Sequence, residues 1–214
     1  MNHQILLQKL WHHGVRGIAY QWLSSYLEDR FQYVSFDSTE SSQSKITCGV
    51  PQGSISGPLL FLIYINDMAN VSDKLFTLLF ADDTNAFITG HNIDEMIVIM
   101  NHELKNLVTW MNANKLSLNV SKTHFIIFRS PGMRKPIFTE KLNINGSELL
   151  QESQTKFLGL IVDQKFTWGP HINYIRKKIC KGIGIICRAK SLLYASTLIT
   201  LYNSFVYPYL NYAV

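Results

Sequence analysis

An α+β fold is predicted by three features of this 214-residue sequence. Apolar residues recur at helical spacing in several segments, short β-favouring runs flank turn residues, and glycine and proline punctuate the joins. In "VRGIAYQWLSSYLEDR", Ile18, Trp22 and Tyr26 stand four apart with Ala19, Leu23 and Leu27 beside them, the stripe of an amphipathic helix whose apolar face is expected to be packed. "FQYVSFD" reads as a strand and "DSTESSQS" as a polar loop. The next segment, "KITCGVPQGSISGPLLFLIYINDM", places three glycines and two prolines between Gly49 and Pro58, which breaks regular structure. Pro58 is expected to open the apolar helix that follows, because the first helical position needs no N–H.

"LFTLLFADDTNAFITG" has two β-favouring arms around a polar centre, so a hairpin is predicted with Asp82 and Asp83 at or beside its turn. Ile93, Met96, Ile97, Met100, Leu104, Leu107, Val108 and Met111 then follow helical spacing, with Asn92 and Glu95 placed as a capping box. "KLSLNVSKTHFIIFRSPGM" alternates and turns near Ser121 and Lys122, giving an extended segment or strand pair that ends at Pro131. Asn145-Gly146 in "KLNINGSELL" is a hairpin signal, and "TKFLGLIVD" reads as one further strand. In "FTWGPHINYIRKKICKGIGIICRAK", Ile172, Ile175, Ile179, Ile183 and Ile186 make an apolar helical stripe among basic residues. The uncharged end from Ser191 to Val214 is long enough to span a bilayer but carries Ser, Thr, Asn and Pro208, so it reads as a buried helix, with a membrane segment the alternative. A composition shift between Ser130 and Lys135 marks the expected domain boundary, and no internal repeat is evident.

Charge is distributed unevenly. The formal net charge is +5, yet no Asp or Glu follows Asp163, while Lys165, Arg176, Lys177, Lys178, Lys181, Arg188 and Lys190 do; the first 163 residues therefore sum to −2. A cationic end on a near-neutral body suits a polyanionic partner, nucleic acid first and an anionic membrane surface second. Three cysteines, Cys48, Cys180 and Cys187, show no CxxC spacing and form an odd set, which argues against a disulfide framework or a zinc module. "MNHQILLQKLWHHGV" lacks the apolar core of a signal peptide, and "PLLFLIYI" is too short to span a bilayer. The expectation is an intracellular protein, nuclear or cytoplasmic, neither secreted nor in a membrane.

Two adjacent carboxylates at a tight turn between apolar strands repel each other, and a divalent cation removes that penalty. Mg²⁺ or Mn²⁺ held by Asp82 and Asp83 is thus one reading; a solvated polar turn is the other, since Asp is common in turns for its own backbone hydrogen bonds. A two-ion site for phosphoryl transfer needs carboxylates from at least two chain segments. Other chemistries fail at a deciding position. An aspartic-protease turn needs Gly where Asn85 stands, and a serine-hydrolase elbow needs Ser where Ile55 stands in "GSISG". His12 and His13, with His3 nearby, are assigned no metal role.

"CGVPQGSISGPLLFLIYINDM", "LLFADDTNAF", "NKLSLNVSKTHFIIF" and "KFLGLIVDQKFTW", in that order and at these separations, resemble the reverse transcriptase of non-LTR (LINE-type) retrotransposons. The similarity extends over nearly the whole chain. It implies a partial right-hand polymerase palm, a ferredoxin-like sheet with helices on one face, over residues 1–130. A connection with a hairpin and a primer-grip-like strand is implied over 131–163, and a truncated helical thumb over 164–214. It further implies that Asp82 and Asp83 are catalytic metal ligands, Asp82 the firmer. Gly49, Pro51, Gln52 and Gly53 are implied to line the nucleotide and template pocket, where glycine permits close backbone approach and Gln52 can offer amide hydrogen bonds. Lys122 falls where the family carries a lysine near the triphosphate. Phe157, Leu158 and Gly159 resemble the primer grip, and Arg176, Lys177, Lys178 and Lys181 resemble a thumb surface tracking the nucleic-acid backbone. The implied partners are an RNA template, a DNA primer and dNTP, and the implied cofactors two Mg²⁺ or Mn²⁺ ions in a complete site.

In the family, the segment resembling "NHQILL" directly follows a strand that carries another carboxylate of the metal site. The sequence starts at Met1, past that position, and Asp29, Asp37, Asp67, Asp73, Asp94 and Asp163 lie in helices, loops or caps without a matching strand context. The expectation is a reverse transcriptase fragment without fingers or first aspartate strand, inactive as given. The alternative is a non-catalytic remnant that binds nucleic acid through residues 165–190.

Overall fold

The computed structural model describes residues 1–130, 132–133 and 138–212. In chain order they form α1 (His3–His12), α2 (Gly17–Leu27), β1 (Phe31–Gln32), β2 (Ser35–Phe36), β3 (Thr39–Glu40), β4 (Ser44–Lys45), α3 (Ser56–Ile65), a 3₁₀ turn (Asn66–Val71), β5 (Phe76–Phe80), β6 (Asp83–Phe87) and α4 (Ile93–Ala113). A second 3₁₀ turn (Val120–Lys122) follows, then β7 (His124–Phe125), β8 (Asn143–Ile144), β9 (Ser147–Glu148), β10 (Leu150–Gln151), β11 (Gln154–Phe157), β12 (Leu160–Asp163), α5 (Gly169–Ala189), α6 (Ala195–Phe205) and α7 (Tyr207–Asn211). The α+β expectation holds. Among the described residues the strands pair only two by two, antiparallel except for β7 with β10. Most are two residues long and exposed, too short to recruit a third strand. No helix among the described residues is long and apolar enough to cross a membrane. The expected boundary between Ser130 and Lys135 falls partly on Pro131, Arg134 and Lys135, which lie outside the described residues.

The chain divides into two compact units, Met1–Val120 with Pro136–Leu149, and Ser121–Lys135 with Leu150–Val214. In the first, α1 begins where the Asn2 side chain accepts the Ile5 N–H, and it turns Leu6 and Leu10 inward at i, i+4. They join Leu27, Leu60, Tyr64 and Ile65 in one buried cluster. Each such side chain contributes about 1.5–3 kcal/mol relative to exposure. The buried Tyr64 hydroxyl accepts from the Asn2 N–H and donates to the Asn114 carbonyl, so both of its roles are filled; burial raises its pKa above the ordinary value. Lys9 reaches the Tyr64 carbonyl at 2.6 Å and Asp67 Oδ1 at 2.5 Å, and lies 4.7 Å from the Trp110 ring centroid. α3 starts at Ser56, two residues before the expected Pro58, and just ahead of it Ser54 Oγ accepts the Gly57 N–H. The α2 stripe also departs from expectation. Only Leu27 of that helix is buried, while Ile18 and Trp22 are 85% and 60% exposed.

In the second unit the sequence "TKFLGLIVD" is two strands rather than the expected one. β11 and β12 pair in four-residue register around Leu158 and Gly159, whose φ values of 45° and 89° give the left-handed pair that closes a two-residue hairpin. At the end of β12, Asp163 accepts from the Lys165, Thr167 and Trp168 N–H groups and from Thr167 Oγ1, shaping the loop that feeds α5. Burial raises its carboxyl pKa, but these donors outweigh it, and the net shift is downward. The inward side of α5 runs along His171, Ile175, Ile179, Gly182 and Ile186, with His171 and Gly182 buried and the three isoleucines half-buried, while Ile172 and Ile183 of the expected stripe are exposed. α6 crosses at Gly182, where an added Cβ would sit 2.9 Å from the Phe205 carbonyl oxygen. The expected buried C-terminal helix is instead α6 and α7, divided at the buried Val206; no described residue of either helix is buried, and Tyr202, Tyr207 and Leu210 are exposed.

Candidate active-site hairpin and nucleic-acid surface

Five cross-strand pairs align β5 with β6, from Phe76 opposite Phe87 to Phe80 opposite Asp83. Side chains alternate between the two faces of a strand. Leu79 and Ala86 therefore pack on the buried Met68, Leu75 and Leu107, while Phe76 and Phe80 lie on the opposite, exposed face with Asp83. The turn is Ala81-Asp82. Ala81 alone of these two has positive φ, at 51°, a place where glycine is usual. Such strain persists where the surroundings over-determine it, and it clusters at functional sites. Asp82 and Asp83 are both exposed at this tip. The hairpin prediction is thereby met, with Asp82 in the turn and Asp83 opening β6.

The base of the hairpin is fixed from α4. Ser72 Oγ accepts the Lys74 and Leu75 N–H groups just before β5 and hydrogen-bonds the buried carboxylate of Glu103. Ser72, His102 and Asn106 together hold that carboxyl below its ordinary pKa. Glu103 and Ser72 were not singled out from sequence: a Glu on an amphipathic helix reads as solvent-facing. The expected capping box is present in altered form, with Asn92 Oδ1 accepting the Asp94 N–H and its amide donating to Glu95.

The Gly49–Gly53 loop belongs to the same unit. Gly49 N–H donates to the Met1 carbonyl at 2.7 Å, and His3 Nε2 meets the Gly49 carbonyl at 2.7 Å, so the loop is tied to the start of α1. Gly49 and Gly53 have φ of 83° and 84°, which require glycine; Pro51, Gln52 and Gly53 are exposed.

The other sequence-selected residues lie in the second unit. Lys122 is exposed at the end of its 3₁₀ turn. Phe157 ends β11 opposite Leu160, and Leu158 and Gly159 form the β11–β12 turn. Arg176, Lys177, Lys178 and Lys181 are exposed on α5, and Lys177, Lys181 and Arg188 stand at i, i+4 and i+11 on one face. These three span about 16 Å of helix at 1.5 Å per residue.

Residues 1–162 match the family described as reverse transcriptase (RNA-dependent DNA polymerase). The chain belongs to the reverse transcriptase family. It is 30% identical over 184 residues to a probable RNA-directed DNA polymerase from transposon BS of Drosophila melanogaster, covering 79% of this chain and 20% of that protein. The corresponding polymerase from transposon X-element of the same species is 27% identical over 95% of this chain and 24% of its own length. The RNA-directed DNA polymerase from mobile element jockey of Drosophila funebris is 28% identical over 99% and 25%. The resemblance to non-LTR retrotransposon reverse transcriptases drawn from the motifs is borne out. This reverse transcriptase chain spans about a quarter or less of the length of these relatives.

Reverse transcriptases use divalent ions, and the donor set here can be tested for them. Two adjacent carboxylate oxygens are the hard ligands Mg²⁺ takes, usually one or two carboxylates with water completing the shell. Asp82 and Asp83 supply two such carboxylates, adjacent in the chain and both exposed at the hairpin tip. Among the described residues no group of three or more His, Cys, Asp or Glu side chains gathers at one place, so they do not themselves complete a two-ion clamp.

Proposed function

We propose that this chain supplies the catalytic hairpin and a nucleic-acid-tracking helix of an RNA-directed DNA polymerase, with residues 1–130 as palm and residues 164–214 as thumb. The observation that carries this reading is the strained, exposed turn that presents Asp82 and Asp83 at the end of a hairpin packed on one side only. Asp82 and Asp83 would hold Mg²⁺ or Mn²⁺, which would supply positive charge for phosphoryl transfer once a complete set of ligands is assembled. The Gly49–Gly53 loop lets template and dNTP approach its backbone; Lys122 neutralises phosphate charge. The Phe157–Gly159 turn positions the primer strand, and Arg176, Lys177, Lys178 and Lys181 contact phosphates of the RNA–DNA hybrid.

Because two carboxylates are half of a two-ion site, the chain as given binds nucleic acid without extending a primer unless a further carboxylate is supplied. Purified chain incubated with primed RNA, dNTP and Mg²⁺ is expected to give no product. Mg²⁺-dependent extension that Asp82→Ala abolishes would overturn the incompleteness and leave the assignment of Asp82 standing. Loss of nucleic-acid binding at every salt concentration would sink the polymerase reading itself.

A further inference from the structure

The β11–β12 turn has an unusual occupant and an unusual neighbour. A two-residue hairpin with both central residues left-handed favours Asn, Asp or Gly at its first position, yet Leu158 stands there at φ 45°. A leucine has no side-chain group with which to stabilise that conformation, so the restraint must come from elsewhere. Tyr212, which follows α7, provides it. Its hydroxyl donates to the Leu158 carbonyl, and its ring lies over Gly159, where an added Cβ would fall 3.2 Å from Cε1 and 3.5 Å from Cζ. The tyrosine itself is exposed and directly follows α7, a short helix with Pro208 in its first turn. An exposed aromatic clamped on a turn contributes little burial; what it fixes is the backbone direction of two residues.

We infer that Tyr212 is a positioning residue for the primer, holding the Phe157–Gly159 turn in the one backbone form that meets the strand. The inference rests on the reading of this turn as the primer contact. A nucleic acid with a recessed 3′ end would therefore depend on Tyr212, whereas a single strand held by the α5 cations would not.

The test uses the full chain and fluorescence anisotropy with two probes, a DNA primer annealed to RNA and the same RNA alone. The unaltered chain is expected to bind the primed probe more tightly. Tyr212→Phe, which keeps the ring and removes the hydrogen bond, should weaken binding to the primed probe about 2- to 10-fold and leave single-strand binding unchanged. Gly159→Ala, which strains a residue at φ 89° and so disturbs the turn itself, should also weaken binding to the primed probe and serves as the control for the turn, with circular dichroism confirming that both variants retain their helices. Equal affinities for the two probes in the unaltered chain would refute the reading of the turn. A preference for the primed probe that survives Tyr212→Phe would refute the role of Tyr212 alone.

Discussion

α4 and α5 are each 21 residues long, yet they carry opposite designs. α4 opens with Asp94 and Glu95 under an Asn92 cap, buries Ile97, Glu103 and Leu107, and anchors β8 through Asn101 to the Lys141 carbonyl and the Asn143 N–H. α5 has no acidic residue, starts from the Asp163 loop, and buries a histidine and a glycine. His171 Nδ1 accepts the Ile161 N–H at 3.2 Å, which ties the helix to β12. Helix length therefore says little about role. α4 is held on several sides and supports the hairpin, while α5 is held along one narrow seam and leaves its cations to solvent.

Substitutions can break or sharpen this contrast. The largest effect is expected from Leu107→Ala on α4, which empties a buried position and should destabilise the first unit by about 2–5 kcal/mol in urea unfolding. On α5 the comparable weak point is a small residue. Gly182→Ala places a methyl against the Phe205 carbonyl and should destabilise by about 1–3 kcal/mol, read as a lower melting temperature. Lys181→Ala should leave the melting temperature unchanged and lower the slope of log K against log salt by about 0.7–0.9, the loss of one phosphate contact. Lys105→Ala on α4 serves as its control, with no change in slope.

Acid provides a subtler comparison. Asp163 and Glu103 both have folded pKa values below their ordinary ones, so each contributes stability that is present above the ordinary carboxylate pKa and is lost as pH falls through the folded value. Below about pH 4 both units should weaken. Asp163→Asn should flatten the acid limb for the second unit alone, and Glu103→Gln for the first, as followed by two-dimensional NMR across a pH series. The smallest effect belongs to Ile172→Ala, an exposed member of the isoleucine stripe, expected within about 0.5 kcal/mol of the unaltered chain.

The parts legible in the sequence are those whose determinants are local. Asn145-Gly146 forms its predicted hairpin, with φ of 50° and 80°, and α4 follows its periodic stripe and cap. The Asp82-Asp83 turn was legible too, since polar residues interrupt two apolar arms. Leu158-Gly159 was not: an apolar turn residue continues the pattern of its flanking strands, and what sustains it is Tyr212, 54 positions away. Periodicity likewise identified the apolar face of α2 without revealing that Ile18 and Trp22 face solvent, because a stripe specifies which residues share a side and not what covers them. The implied ferredoxin-like sheet required strand partners beyond the pairs among the described residues. Of the candidate site, the residue identities were readable, whereas the support from Ser72, Glu103 and Tyr212 depended on contacts distant in sequence.

The Tyr64 hydroxyl has a bearing on the order in which the first unit assembles. One oxygen joins Asn2, 62 positions before it, to Asn114, 50 positions after it, so two long chain loops close at a single atom. Loop-closure entropy must be lost before such a junction gains anything, which places it late on the folding route. A contact made late is also released early. Removing that oxygen with Tyr64→Phe would therefore act mainly on the rate of unfolding, making the junction a kinetic latch for α1.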